Sequence, residues 1–144
     1  MARGRRLRVL LVEDDVNRHR FIQGWLPEDI TLVWCQNGEA ALGLLDRAGR
    51  TEYAAVMLDR DLDKSVYVQT AKRMSGTDVA ARMAERISRQ TPVLVHSMSV
   101  DREELLATLR ANEFPVIQIP FCDLTRENLN AWIAEVREDF EDGE

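Results

Sequence analysis

The sequence predicts an α/β fold: a doubly wound, five-stranded parallel sheet with helices on both faces, a (βα)5 three-layer sandwich. Two observations predict it. Short apolar runs alternate with helix-length amphipathic segments, five times in succession. The apolar runs also lack polar interruptions, as strands do when a parallel sheet is covered on both sides. A third observation places a site. Carboxylates collect just after the apolar runs, where ligands bind in such sheets.

Each element has its own signal. Val9 to Val12 is a strand, and Asn17 to Leu26 a helix with Phe21, Ile22 and Trp25 at helical spacing. Thr31 to Trp34 is a short strand. Glu39 to Ala48 is a helix that starts from Asn37-Gly38 and sets Ala40, Ala41, Leu44 and Leu45 on one face. Ala54 to Leu58 is an uninterrupted apolar strand. Thr77 to Ser88 is a helix with Val79, Ala80, Met83, Ala84 and Ile87 inward. Pro92 opens the strand Val93 to Val95, and Arg102 to Ala111 is a helix. Val116 to Ile119 is a strand closed by Pro120. Arg126 to Phe140 is a helix carrying Leu129, Trp132, Ile133 and Val136. The stretch from Leu62 to Ser75 has no clear periodicity.

Length and composition bound the function. The 144 residues suit one domain, 1–144, that buries a full core without disulfides. Two cysteines, Cys35 and Cys122, are too few for a disulfide framework and read as reduced thiols of a cytoplasmic protein. No apolar run is long enough to span a bilayer, so a membrane role is not expected. A net charge of −6 argues against nucleic acid as the main partner. The basic residues Arg3, Arg5, Arg6 and Arg8 read as a solvated N-terminal arm, centred on 1–6. The acidic tail from Glu135 to Glu144 reads as the solvated end of a helix.

The chemistry lies in five carboxylates at two strand ends. Glu13, Asp14 and Asp15 follow Leu7-Arg8-Val9-Leu10-Leu11-Val12, and Asp59 and Asp61 follow Ala54-Ala55-Val56-Met57-Leu58. Side by side in a parallel sheet, they repel and raise one another's pKa. A hard divalent cation neutralises such a cluster most simply, which points to Mg²⁺ (or Mn²⁺) and to phosphate chemistry.

These residues resemble the receiver domain of two-component response regulators, over almost the whole chain and in the right order. "VLLVEDD" resembles the first strand with its acidic pair, Glu13 and Asp14. "VMLDRDL" resembles the third strand ending in the phosphoacceptor, Asp59. "PVLVHSMS" resembles the fourth strand ending in the switch hydroxyl, Ser97, and "VIQIPF" the fifth strand with its proline turn. The resemblance implies a flavodoxin-like sandwich in which Asp59 is phosphorylated. It implies Mg²⁺ on Asp14, Asp59 and a backbone carbonyl near Asp61, with Glu13 acting through a bound water. Asp15 becomes a helix-start residue. Ser97 would donate to the phosphoryl group and pull its loop inward, or else serve only at a helix start, for which Ser99 is the better cap.

Four departures stand out. Ile119 replaces the usual lysine before the proline, which removes a charge-assisted contact commonly worth about 1.5–3 kcal/mol. Val116 replaces the usual aromatic residue. Met98 replaces a small residue beside the switch hydroxyl and could restrict access. The glycine after the third strand comes late, as Gly76, so an insertion loop covers about 60–76. Lys64, Lys72 or Arg73 from that loop could fold back in place of the lysine. Asp59-Arg60-Asp61-Leu62, Ser75-Gly76-Thr77-Asp78-Val79-Ala80 and His96-Ser97-Met98 resemble a divergent receiver group linked to cyclic-phosphate processing, but Arg60 stands where that group has histidine.

Three functions follow. The first is a stand-alone receiver, a signalling domain rather than an enzyme. It takes a phosphoryl group from a sensor histidine kinase or phosphotransfer protein and acts on a downstream protein partner, alone or as a homodimer. The second is a pseudo-receiver that binds partners unphosphorylated. The third is a metal-dependent phosphoesterase in which His96 acts as general acid or metal ligand. Strand alternation argues against that role. If Ser97 points into the site, His96 points toward a helix-covered face. His19, on the first helix, reads as a surface residue.

Overall fold

The computed structural model describes residues 6–59, 75–98 and 102–142. The expected roles of Arg60, the Asp61 carbonyl, Lys64, Lys72, Arg73 and Ser99 lie outside the described residues, as do most of the arm and of the 60–76 insertion.

The elements run β1 (Leu7–Val12), α1 (Val16–Trp25), β2 (Ile30–Cys35), α2 (Gly38–Arg47), β3 (Ala55–Leu58), α3 (Gly76–Arg86), β4 (Val93–Val95), α4 (Arg102–Ala111), β5 (Val116–Gln118) and α5 (Arg126–Asp142). A 3-10 turn, Phe121–Asp123, leads into α5. All neighbouring strands pair in parallel, in the order β2-β1-β3-β4-β5. The chain leaves β1 toward β2 and then reverses to β3. That reversal opens a crevice beyond the carboxyl ends of β1 and β3.

The period-2 alternation of each strand divides the core into two layers. Leu10, Val12, Val56, Leu58, Val93 and Val95 pack beneath α2, α3 and α4, against Leu45, Met83, Leu105 and Leu109. Val9, Leu11, Ala55, Met57 and Leu94 pack beneath α1 and α5, against Ile22, Leu129, Trp132 and Ile133. Over the inner strands β1, β3 and β4 both faces are almost wholly buried, which is why those strands read as apolar runs, while the edge strands β2 and β5 are partly exposed. Among the described residues, no helix is long and apolar enough to cross a membrane. Cys35 is buried and Cys122 exposed, both as free thiols; burial pushes the Cys35 pKa up to about 11.

The helix starts are local chemistry. Asp15 caps α1, its carboxylate accepting from the N–H groups of Asn17 and Arg18. Asn37 caps α2 through the Ala40 N–H. Ser75 and Asp78 form a reciprocal capping box, so α3 starts at Gly76, one residue before the periodicity places it. One expectation on α1 changes. Phe21 is 55% exposed, and Ile22 is the buried residue of that helix. The Phe21 ring lies instead beside Trp25 and Phe121.

Candidate functional site: a buried acidic crevice

Strand register assembles the site. Leu11 pairs with Met57 across β1 and β3, and Met57 with Leu94 across β3 and β4. All three point to the α1/α5 layer. Two residues further along each strand stand Glu13, Asp59 and His96. Backbone bonds continue the ladder there, from Glu13 N–H to Cys35 O at 3.0 Å, Asp59 N–H to Val12 O at 3.3 Å, and His96 N–H to Leu58 O at 3.2 Å. A donor atom from each of the three residues lies within 4.8 Å of the other two. Glu13, Asp59, His96 and Ser97 are fully buried, and Asp14 is nearly so.

His96 is therefore not turned away from the crevice. Its Nε2 lies 2.8 Å from Glu13 Oε1, with both side chains fully buried. The reference residue that strand pairing supplies is Leu94, not Ser97. Counted from Leu94, alternation sets His96 on the face of Glu13 and Asp59. Glu13 Oε2 accepts the Asp15 N–H at 2.9 Å, and the Trp34 indole donates to the Glu13 carbonyl at 2.8 Å. Burial alone would raise the Glu13 pKa. The hydrogen bond and charge of His96, the Asp15 N–H and the Arg18 charge outweigh it and hold the carboxyl below its ordinary value. An ionised carboxylate only accepts, so His96 donates from Nε2. Among the described residues, its Nδ1 finds no hydrogen-bond partner.

One site residue escaped the sequence reading. Arg18 Nη1 lies 3.5 Å from Asp59 Oδ2 and 3.7 Å from Glu13 Oε1. Its guanidinium also sits over the Phe121 ring, 5.2 Å from the centroid. The available signal was a cation in the first turn of the helix that follows the acidic loop. His19, one residue on, is half-buried and stacks on Trp34 at 3.8 Å, rather than lying free on the surface. Burial, and then the charge of Arg20, lower its pKa.

The donor set suits a divalent ion. Carboxylate oxygens of Glu13 and Asp59 are hard ligands matched to Mg²⁺ or Mn²⁺, and Asp14 lies at the same edge. With Nε2 committed to Glu13, His96 orients that carboxylate.

No protein-family model matches the chain, and no curated protein does. Solved structures do. The signal receiver domain of an HD domain-containing protein from Pseudomonas fluorescens Pf-5 superposes with a TM-score of 0.74 at 18% identity, covering 99% of this chain and 95% of that one. A beryllofluoride-activated DrrB receiver domain gives 0.67 at 19% identity, covering 92% and 97%. NtrX from Brucella abortus gives 0.66 at 17% identity, and there the match covers 93% of this chain but 28% of NtrX. This chain has the receiver-domain fold.

Within the receiver frame the departures take physical form. Ile119, just past β5, is partly buried against the α1/α5 core, so an apolar side chain rather than a cation follows the strand. Val116 packs against the opposite layer. Met98 is 45% exposed, and its sulfur accepts the Cys122 N–H at 3.3 Å. It lies at the rim and reaches toward the turn after β5.

Proposed function

We propose that this chain is a response-regulator receiver domain whose Asp59 accepts a phosphoryl group. Asp59, Glu13 and Asp14 would hold Mg²⁺ (or Mn²⁺), with a carbonyl near Asp61. The observation that carries the reading is the in-register alignment of Glu13, Asp59 and His96 at the β1/β3 crevice of a receiver fold. When bound, the metal offsets charge on the transferring phosphoryl group. The residues do the rest. A lone pair of the Asp59 carboxylate attacks phosphorus, and the P–N bond of a phosphohistidine donor breaks. Its electrons leave on the imidazole nitrogen, which takes a proton from solvent. The product is an acyl phosphate. In this reading Ser97, buried just past the end of β4, would donate to a phosphoryl oxygen and couple the event to its loop. The donor is a sensor histidine kinase or phosphotransfer protein, and the output is contact with a protein partner or a second copy.

The test is a Mg²⁺ and beryllofluoride titration followed by fluorescence of Trp34, whose indole is bonded to the Glu13 carbonyl. Saturable beryllofluoride binding that needs Mg²⁺ and disappears in Asp59→Asn supports the reading. The apolar Ile119 in the lysine's place favours a second reading, a domain that binds partners without phosphorylation. It requires Mg²⁺ binding with no response to beryllofluoride.

The phosphoesterase reading is weaker. A histidine whose Nε2 is committed to the Glu13 carboxylate is poorly set to shuttle protons to a substrate.

A further inference from the structure

We propose that Arg18 is the phosphoryl-binding cation of this site, supplied by the first turn of α1 instead of the end of β5. The inference rests on Asp59 being the phosphoacceptor. Three features of Arg18 carry it. The first is position: Nη1 stands 3.5 Å from the Asp59 carboxylate oxygen that would carry phosphorus. The second is unused bonding capacity. Nη1 is buried and, among the described residues, finds no hydrogen-bond acceptor, since its two carboxylate neighbours lie at ion-pair rather than hydrogen-bond distance. A phosphoryl group on Asp59 brings oxygens and negative charge into reach of that donor, in the planar fork geometry that guanidinium matches. The third is support. The Asp15 carboxylate accepts the Arg18 N–H at 3.1 Å, and the Phe121 ring lies against the guanidinium.

The same group answers the site's charge before an ion enters. Glu13, Asp14 and Asp59 alone would leave this edge strongly negative; a guanidinium beside Glu13 and Asp59 partly offsets that. Arg18 therefore acts in opposite senses on two ligands. It opposes Mg²⁺, a like charge, and favours the phosphoryl group, an unlike one. A residue with a purely structural role does not split the ligands in this way.

The test compares wild type with Arg18→Met, Arg18→Gln and Arg18→Lys by calorimetry, first with Mg²⁺ alone and then with beryllofluoride at saturating Mg²⁺. The two neutral variants are expected to bind Mg²⁺ as tightly as wild type or more tightly. They are expected to bind beryllofluoride roughly 10- to 100-fold more weakly, the value of one or two charge-assisted hydrogen bonds. Arg18→Lys is expected to recover part of the loss, as a point charge without the fork. Wild-type beryllofluoride affinity in both neutral variants overturns the role of Arg18 and leaves Asp59 as phosphoacceptor untouched. Parallel loss of Mg²⁺ and beryllofluoride, with a lowered unfolding temperature, also overturns it, in favour of a structural role. Failure of wild type itself to bind beryllofluoride overturns the phosphoacceptor reading, and this inference with it.

Discussion

Glu13 and His96 are a buried, hydrogen-bonded pair. A carboxylate with no solvent contact is held ionised by one imidazole, one backbone N–H and a guanidinium at longer range. Removing the imidazole strands that charge. His96→Ala is expected to lower unfolding free energy in chelator-treated protein by about 3–5 kcal/mol, as breaking a buried pair does. Urea unfolding measures it, and a loss under about 1 kcal/mol would show that the pair is not buried as described. Glu13 and Asp59 were legible from the sequence because they end apolar runs, where a parallel sheet gathers its ligands. His96 was legible as a candidate but misplaced, because alternation needs a correct reference residue. Arg18 was not legible. A charged residue on an amphipathic helix reads as solvated, and only the seating of α1 against the sheet and Phe121 turns it inward.

At the scale of elements, the helices stand on their caps and one apolar stripe each. Asp15→Ala removes the two N–H bonds that start α1 and is expected to cost about 1 kcal/mol in thermal or urea unfolding. It should also weaken beryllofluoride binding, since Arg18 is one of the two residues whose N–H it releases. Ile133→Ala opens a cavity beneath α5 and is expected to cost about 2–5 kcal/mol by the same assay. The inner strands were legible because both faces of β1, β3 and β4 are buried. The breadth of the α1 stripe was not. Phe21, at helical spacing with Ile22 and Trp25, is left exposed and lies beside Phe121, a tertiary contact between residues distant in sequence. The insertion over about 60–76 has no periodicity to read, and it largely falls outside the described residues.

For the whole molecule, the fold places like charges where the sheet ends and must balance them. Glu13 titrates below its ordinary value near 4.5 in the folded chain. Its contribution to stability is therefore present above that value and is lost as pH falls through the lower folded pKa. Acid unfolding of the metal-free protein is expected to steepen below pH ~4.5, and Glu13→Gln to flatten that limb. An ion bound only by the folded state adds stability as RT ln(1 + [ion]/Kd), so Mg²⁺ is expected to raise the unfolding temperature of wild type more than that of Asp59→Asn.

The central claim is that Asp59 takes a phosphoryl group. Intact-mass spectrometry after incubation with acetyl phosphate and Mg²⁺ tests it most directly, with peptide mapping after borohydride trapping. The expected result is one added phosphoryl mass, mapped to Asp59 and absent from Asp59→Asn and from chelator-treated samples. An unmodified chain under conditions where Mg²⁺ binding is demonstrated would contradict it.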